Sequence, residues 1–96
     1  MADAGAADGD RRTLKILNKR GLHARAAAKF VRTAGQFDAA VRVAHGGQTV
    51  SGLSIMGLMM LAAGIGSDIE ISATGPQAAE AMAALSELVT LKFGED

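Results

Sequence analysis

The stretch Asp68-Ile69-Glu70-Ile71-Ser72-Ala73-Thr74-Gly75-Pro76 alternates Ile69, Ile71 and Ala73 with Glu70, Ser72 and Thr74. A period of two is that of a strand with one face buried and one face wet. Gly75-Pro76 then opens a helix, because proline is favoured at the first helical position. Met82, Leu85, Leu88 and Val89 form its buried stripe, and Lys92 and Gly94 close it. A half-wet strand followed by a one-sided helix is a unit of a sheet covered on one face only.

Working back towards the N-terminus, Ser54 is placed to cap a short helix ending at Gly64, with Ile55, Leu58, Met59 and Ala62 inward. Thr49–Ser51 and Ala40–Ala44 read as paired strands around the turn His45-Gly46-Gly47-Gln48. Residues His23–Ala34 read as a helix, since Ala27, Phe30, Val31 and Ala34 recur at helical spacing, with Gly35 as its stop. Arg12–Asn18, carrying Leu14 and Ile16, reads as the first strand. The expected fold is α+β, an open-faced sandwich in which three helices cover one face of a four-stranded sheet, in the order βαββαβα. Residues 1–10, Ala-, Asp- and Gly-rich, read as a disordered tail, and residues 11–96 as one domain.

The chain of 96 residues is 49% hydrophobic, but 20 of those residues are alanine. Such a core supports a thin two-layer domain and not one that encloses a large ligand. With Cys 0, disulfide and thiolate chemistry are excluded. A net charge of +0 argues against a uniformly basic nucleic-acid binder, and the absence of Trp and Tyr argues against a base-stacking platform. The N-terminus has no basic start or apolar run, and Leu53–Ile65 is shorter than the ~20 residues that span a bilayer. A cytoplasmic protein, monomeric and without cofactor, membrane or nucleic-acid partner, is the expectation.

The balance of charge conceals segregation. Arg11–His45 holds nine basic residues and the single acid Asp38, while residues 1–10 and 46–96 are net acidic. The basic block can steer anions or acidic protein surfaces.

His23 stands at the start of a helix, where backbone N–H groups lack partners and the dipole is positive. Such a terminus binds anions and favours the neutral, nucleophilic imidazole over its protonated form. A phosphoryl group on His23 would lie over the amides of residues 24 and 25 beside Arg25, with Lys19 and Arg20 nearby. Spacing alone leaves a second reading, a histidine that merely caps the helix within a module that binds acidic partners. His45 reads as a polar residue beside a turn. The two histidines lack the spacing of a metal site. Met56, Met59 and Met60 lie on a helix apolar nearly all round. Leu58 and Leu61 read as core, and Ile55, Met56 and Met59 as surface suited to docking.

Asn18-Lys19-Arg20-Gly21-Leu22-His23-Ala24-Arg25 before an alanine-rich helix resembles the active-site segment of the HPr family, the histidine phosphocarriers of the bacterial phosphotransferase system. Ser54-Ile55-Met56-Gly57-Leu58 resembles that family's second signature, and Ala73-Thr74-Gly75-Pro76-Gln77 resembles its nitrogen-related branch, NPr. The resemblance spans about residues 12–93 and implies an open-faced β-sandwich, with three helices on one face of a four-stranded antiparallel sheet. It implies that His23 accepts a phosphoryl group on Nδ1 from phospho-enzyme I, that Arg25 neutralises that group, and that an enzyme IIA-type protein receives it. It implies a carrier rather than an enzyme. It also implies that Ser54 is the target of a regulatory serine kinase/phosphorylase, and that Leu22, Arg20, Ile55, Met56 and Met59 dock partners. Ala26 stands where the family commonly has proline, Arg20 where it often has Asn or Ser, and Leu53 where it commonly has lysine.

Overall fold

The computed structural model describes residues 9–95. Strand β1 (Gly9–Lys15) is followed by helix α1 (Ala24–Ala34), strands β2 (Ala40–His45) and β3 (Gln48–Ser51), helix α2 (Ile55–Met60), strand β4 (Asp68–Thr74), helix α3 (Ala78–Thr90) and a 3₁₀ turn, Lys92–Gly94. The sheet order is β1-β4-β2-β3, every pair antiparallel. The expected α+β architecture, four strands and three helices in that order, is the one observed.

The register explains the two faces. Leu14 pairs with Ile69, Val41 with Ala73 and Val43 with Ile71, so these side chains share the helix-covered face. The helices seal that face with Ala27, Phe30, Leu58, Met82, Leu85 and Val89, all essentially inaccessible to solvent. Displaced by one residue, Lys15 and Asp68 pair on the opposite face, with Nζ 3.0 Å from Oδ1. Exposed pairs of this kind add little stability, but they leave that face polar, which is why the sheet stays open on one side.

Several boundaries differ from the sequence-based expectation. β1 begins at Gly9 rather than Arg12, because Gly9 and Asp10 extend the ladder opposite Thr74 and Ala73. The expected tail therefore loses residues 9 and 10 to the sheet, and residues 1–8 lie outside the described residues. Ser54 caps α2 as expected, its Oγ accepting from the Gly57 amide at 2.9 Å. That helix ends at Met60 rather than Gly64, and Ala62, expected inward, is exposed with a left-handed φ of 54°. Pro76 lies outside α3. Gln77 is the N-cap residue, and its side chain is drawn away to accept from the Asp38 amide at 2.7 Å. Phe93, unassigned by periodicity, is fully buried after α3. No helix among the described residues is long and apolar enough to cross a membrane.

Candidate functional site

Three segments meet at the start of α1. The first is the loop Asn18–Leu22, which Gly21 turns with a φ of +65°. A Cβ on Gly21 would lie 2.4 Å from the Ala63 carbonyl oxygen, so only glycine fits there. The next residue, Leu22, donates its amide to that same Ala63 oxygen at 3.0 Å and buries its side chain, leaving 5% exposed. The loop thus enters the core at Leu22 and leaves it at His23. Leu22 was expected to contact partners. In this structure its side chain is buried against the core instead, beside the backbone bond to Ala63.

His23 is the N-cap residue of α1 in an extended conformation, and its side chain makes no capping bond. Its carbonyl accepts the amide of Ala27 at 2.8 Å, so the preceding amides of Ala24, Arg25 and Ala26 form the open positive end of the helix. The purely capping reading of His23 therefore lacks its hydrogen bond. The ring is more covered than a surface perch would allow, with 16% of the side chain exposed.

The cover comes from Glu95, which no sequence pattern singled out. Its Oε2 meets Nε2 of His23, and its Oε1 accepts from Nδ2 of Asn18 at 3.0 Å. Asn18 is wholly buried, and its Nδ2 also donates to the Gly21 carbonyl at 2.8 Å. The segment carrying Glu95 is folded back onto α1 by two left-handed residues, Lys92 and Phe93, with φ of 59° and 55°. Phe93 anchors it in the core, and Lys29 Nζ donates to the Phe93 carbonyl at 2.6 Å. A buried apolar Phe followed by glycine beyond a helix end is the only local signal that this segment turns inward.

Glu95 also lines an open recess of about 380 Å³, together with Lys19, Arg20, Arg25, Lys29 and Gly94. Four cations thus face one carboxylate. The basic block of the sequence has been divided. These four converge at the helix start, whereas Arg11, Arg12 and Lys15 pair with Glu70, Asp10 and Asp68 at the sheet. Arg25 is exposed and pairs with no acid among the described residues. The arrangement suits an incoming dianion better than a resident one. Among the described residues no cluster of His, Cys, Asp and Glu could hold a metal ion.

Glu95 is held below the usual carboxylate range. Burial raises it, but the hydrogen bonds from Asn18 and His23 and the charges of His23 and Arg20 lower it by more. A carboxyl with a depressed folded pKa contributes stability that is complete above its unfolded value, about 4.3, and is lost as pH falls through the folded value. Glu95→Gln is therefore expected to be less stable than the parent at neutral pH, with the gap closing below about pH 4. Urea midpoints of both proteins across the acid range measure this, and a gap that widens on acidification contradicts it.

The remaining sequence candidates sit on a neighbouring surface. Ile55, Met56 and Met59 are exposed, as the docking reading expects, and Leu53 and Met60 are exposed as well. The helical spacing that placed Ile55 and Met59 inward with Leu58 is not followed, because this short helix turns only Leu58 into the core. The Leu22–Ala63 bond ties the loop after α2 to the His23 loop. Ser54 lies at the edge of the patch, its hydroxyl engaged in capping α2. His45 is remote, with Nδ1 3.1 Å from the Asp68 carbonyl oxygen at the sheet.

Comparison with known proteins agrees with this geometry. A family model described as "PTS HPr component phosphorylation site" matches residues 11–90. The phosphocarrier protein HPr of Cupriavidus necator is 50% identical over 84 residues, covering 88% of this chain and 94% of that protein. The phosphocarrier protein NPr of Shewanella violacea is 42% identical over 84 residues, covering 88% and 92%. Among solved structures, HPr-C-His from Thermoanaerobacter tengcongensis superposes with a TM-score of 0.87 at 42% identity, covering 91% of this chain and 98% of that one. HPr from Bacillus anthracis gives 0.81 at 42% identity, covering 84% and 96%. The chain therefore belongs to the HPr family of phosphocarrier proteins of the phosphotransferase system, which carry a phosphoryl group and are not enzymes.

Proposed function

We propose that this phosphocarrier takes a phosphoryl group from enzyme I on Nδ1 of His23 and hands it to an enzyme IIA-type acceptor. The observation that carries the reading is a histidine at a helix N-cap that caps nothing, beside a recess of four cations. The amides of Ala24 and Arg25 and the guanidinium of Arg25 offset the charge of the incoming group. Ala26, in place of the family's common proline, adds one more N–H to that end of the helix. The protein works as a cytoplasmic monomer in this reading, and its partners supply the catalytic groups. The Ala73–Gln77 segment and the NPr relative favour a nitrogen-related, regulatory branch. Incubation with enzyme I and phosphoenolpyruvate, followed by mapping of acid-labile phosphate, tests the assignment. Phosphate on His23 supports it, and none on the protein refutes it.

Arg20 and the patch of Ile55, Met56 and Met59 form the docking surface in this reading, with a cationic part beside an apolar one. Ser54 is its switch, under a serine kinase/phosphorylase. A phosphate there adds about −1.5 to −2 charge at the edge of an apolar contact. Ser54→Asp imitates that charge while its carboxylate can still accept from the Gly57 amide, so the fold persists. Acceptance of phosphate from enzyme I is expected to slow by about tenfold, within the range over which interface mutations move association rates. A rate equal to the parent's overturns the switch.

A further inference from the structure

We propose that Glu95 is a positioning residue that fixes the tautomer of His23, keeping the hydrogen on Nε2 and the lone pair on Nδ1. The proposal rests on the reading of His23 as phosphoryl acceptor and adds a residue outside both signature segments.

The chain of constraint starts at Asn18. Its Nδ2 has two hydrogens and two acceptors, the Gly21 carbonyl at 2.8 Å and Glu95 Oε1 at 3.0 Å. Its Oδ1 is buried without a partner. Reversing the amide would turn that oxygen towards two other oxygens, so the orientation is fixed. Glu95 Oε1 is thereby committed, and Oε2 is the atom that meets His23 Nε2. An ionised carboxylate only accepts, so Nε2 must donate. In a neutral imidazole the second nitrogen then carries the lone pair. The carboxylate is not placed by chance, since Phe93 in the core and the Lys29 bond to the Phe93 carbonyl hold its segment.

The transfer step then balances without moving a proton. The Nδ1 lone pair forms the bond to phosphorus, and the bond from phosphorus to the enzyme I donor atom breaks, its electron pair leaving with the donor. Nε2 keeps its hydrogen, and the ring acquires a formal positive charge. The Glu95 carboxylate faces that charge from the opposite nitrogen. Transfer to the acceptor reverses these changes.

Glu95→Gln and Glu95→Ala separate this role from a merely structural one. In Glu95→Gln, Asn18 Nδ2 retains the carboxamide oxygen, so the amide NH₂ turns towards His23 Nε2. That nitrogen must now accept, and the hydrogen moves to Nδ1. In Glu95→Ala neither tautomer is imposed. Nitrogen-15 NMR of histidine-labelled, unphosphorylated protein, at a pH where the ring is neutral, reads the tautomer directly. The parent is expected to show Nε2–H and Glu95→Gln predominantly Nδ1–H. Acceptance of phosphate from phospho-enzyme I should fall by about tenfold in Glu95→Gln, as the productive tautomer drops to about a tenth of the population, and by less in Glu95→Ala. Nε2–H retained in Glu95→Gln, or a rate in Glu95→Ala at or below that of Glu95→Gln, overturns the proposal. A parent protein that takes no phosphate from enzyme I overturns the function itself, and the tautomer pattern still decides the role of Glu95.

Discussion

His23→Ala is expected to leave a folded protein that accepts no phosphoryl group from enzyme I and phosphoenolpyruvate. The two halves of that result have separate causes. The fold persists because the side chain caps nothing, and because the start of α1 is held by backbone, with the His23 carbonyl accepting from the Ala27 amide. What disappears is one hydrogen bond to the Glu95 carboxylate, a loss of about 1.5–3 kcal/mol. Glu95 is not orphaned, since Asn18 and the surrounding cations still face it. Function has no such reserve. The one other histidine, His45, has its Nδ1 at the Asp68 carbonyl oxygen and does not line the cationic recess. Labelling by enzyme I, run beside urea denaturation of the same preparation, measures both halves. Labelling of His23→Ala at the parental rate removes His23 from the mechanism. The same variant decides the rival reading, a module that binds acidic partners through its basic block. Binding of an acidic partner that survives the substitution, without labelling of the parent, would favour that module.

What the sequence disclosed depended on the range of the interaction. The alternation of Asp68–Thr74 was legible because one face of β4 packs under helices and the other meets water. The stripe of Ala27, Phe30 and Ala34 was legible for the same local reason. His23 could be placed at a helix start from Gly21 and the alanines that follow. The burial of Leu22 was not legible, because it accompanies a bond to Ala63, a residue brought near only by the fold. Ala62 adopts the left-handed conformation that ends the α2 region, where Gly64 was the local favourite. Glu95 was out of reach altogether. Its role requires Lys92 and Phe93 to turn back, Phe93 to bury, and Asn18 to present both hydrogens, and it stands 72 residues from the histidine it meets. His23 and Arg25 thus lie in one short motif, whereas the carboxylate behind His23 is visible only in three dimensions.

Gly21→Ala is expected to cost roughly 2–5 kcal/mol, a large share of the stability of a small domain, through two additive mechanisms. The first is conformational. A φ of +65° is open to glycine and costs an L-residue roughly 1–2 kcal/mol. The second is steric. The new Cβ would lie 2.4 Å from the Ala63 oxygen and 2.8 Å from the Gly64 Cα, both backbone atoms that cannot rotate away. Relief requires the two loops to separate, which lengthens the Leu22–Ala63 hydrogen bond and lifts Leu22 from the core. It also shifts the Gly21 carbonyl that holds Asn18, and through Asn18 the carboxylate behind His23. Urea denaturation should show the loss of stability. At a temperature where the variant remains folded, phosphoryl acceptance should still fall, because the histidine and its carboxylate no longer share a fixed frame. A loss below about 1 kcal/mol, the size of an ordinary surface substitution or smaller, would show that the loops part freely and that the frame is not set at Gly21.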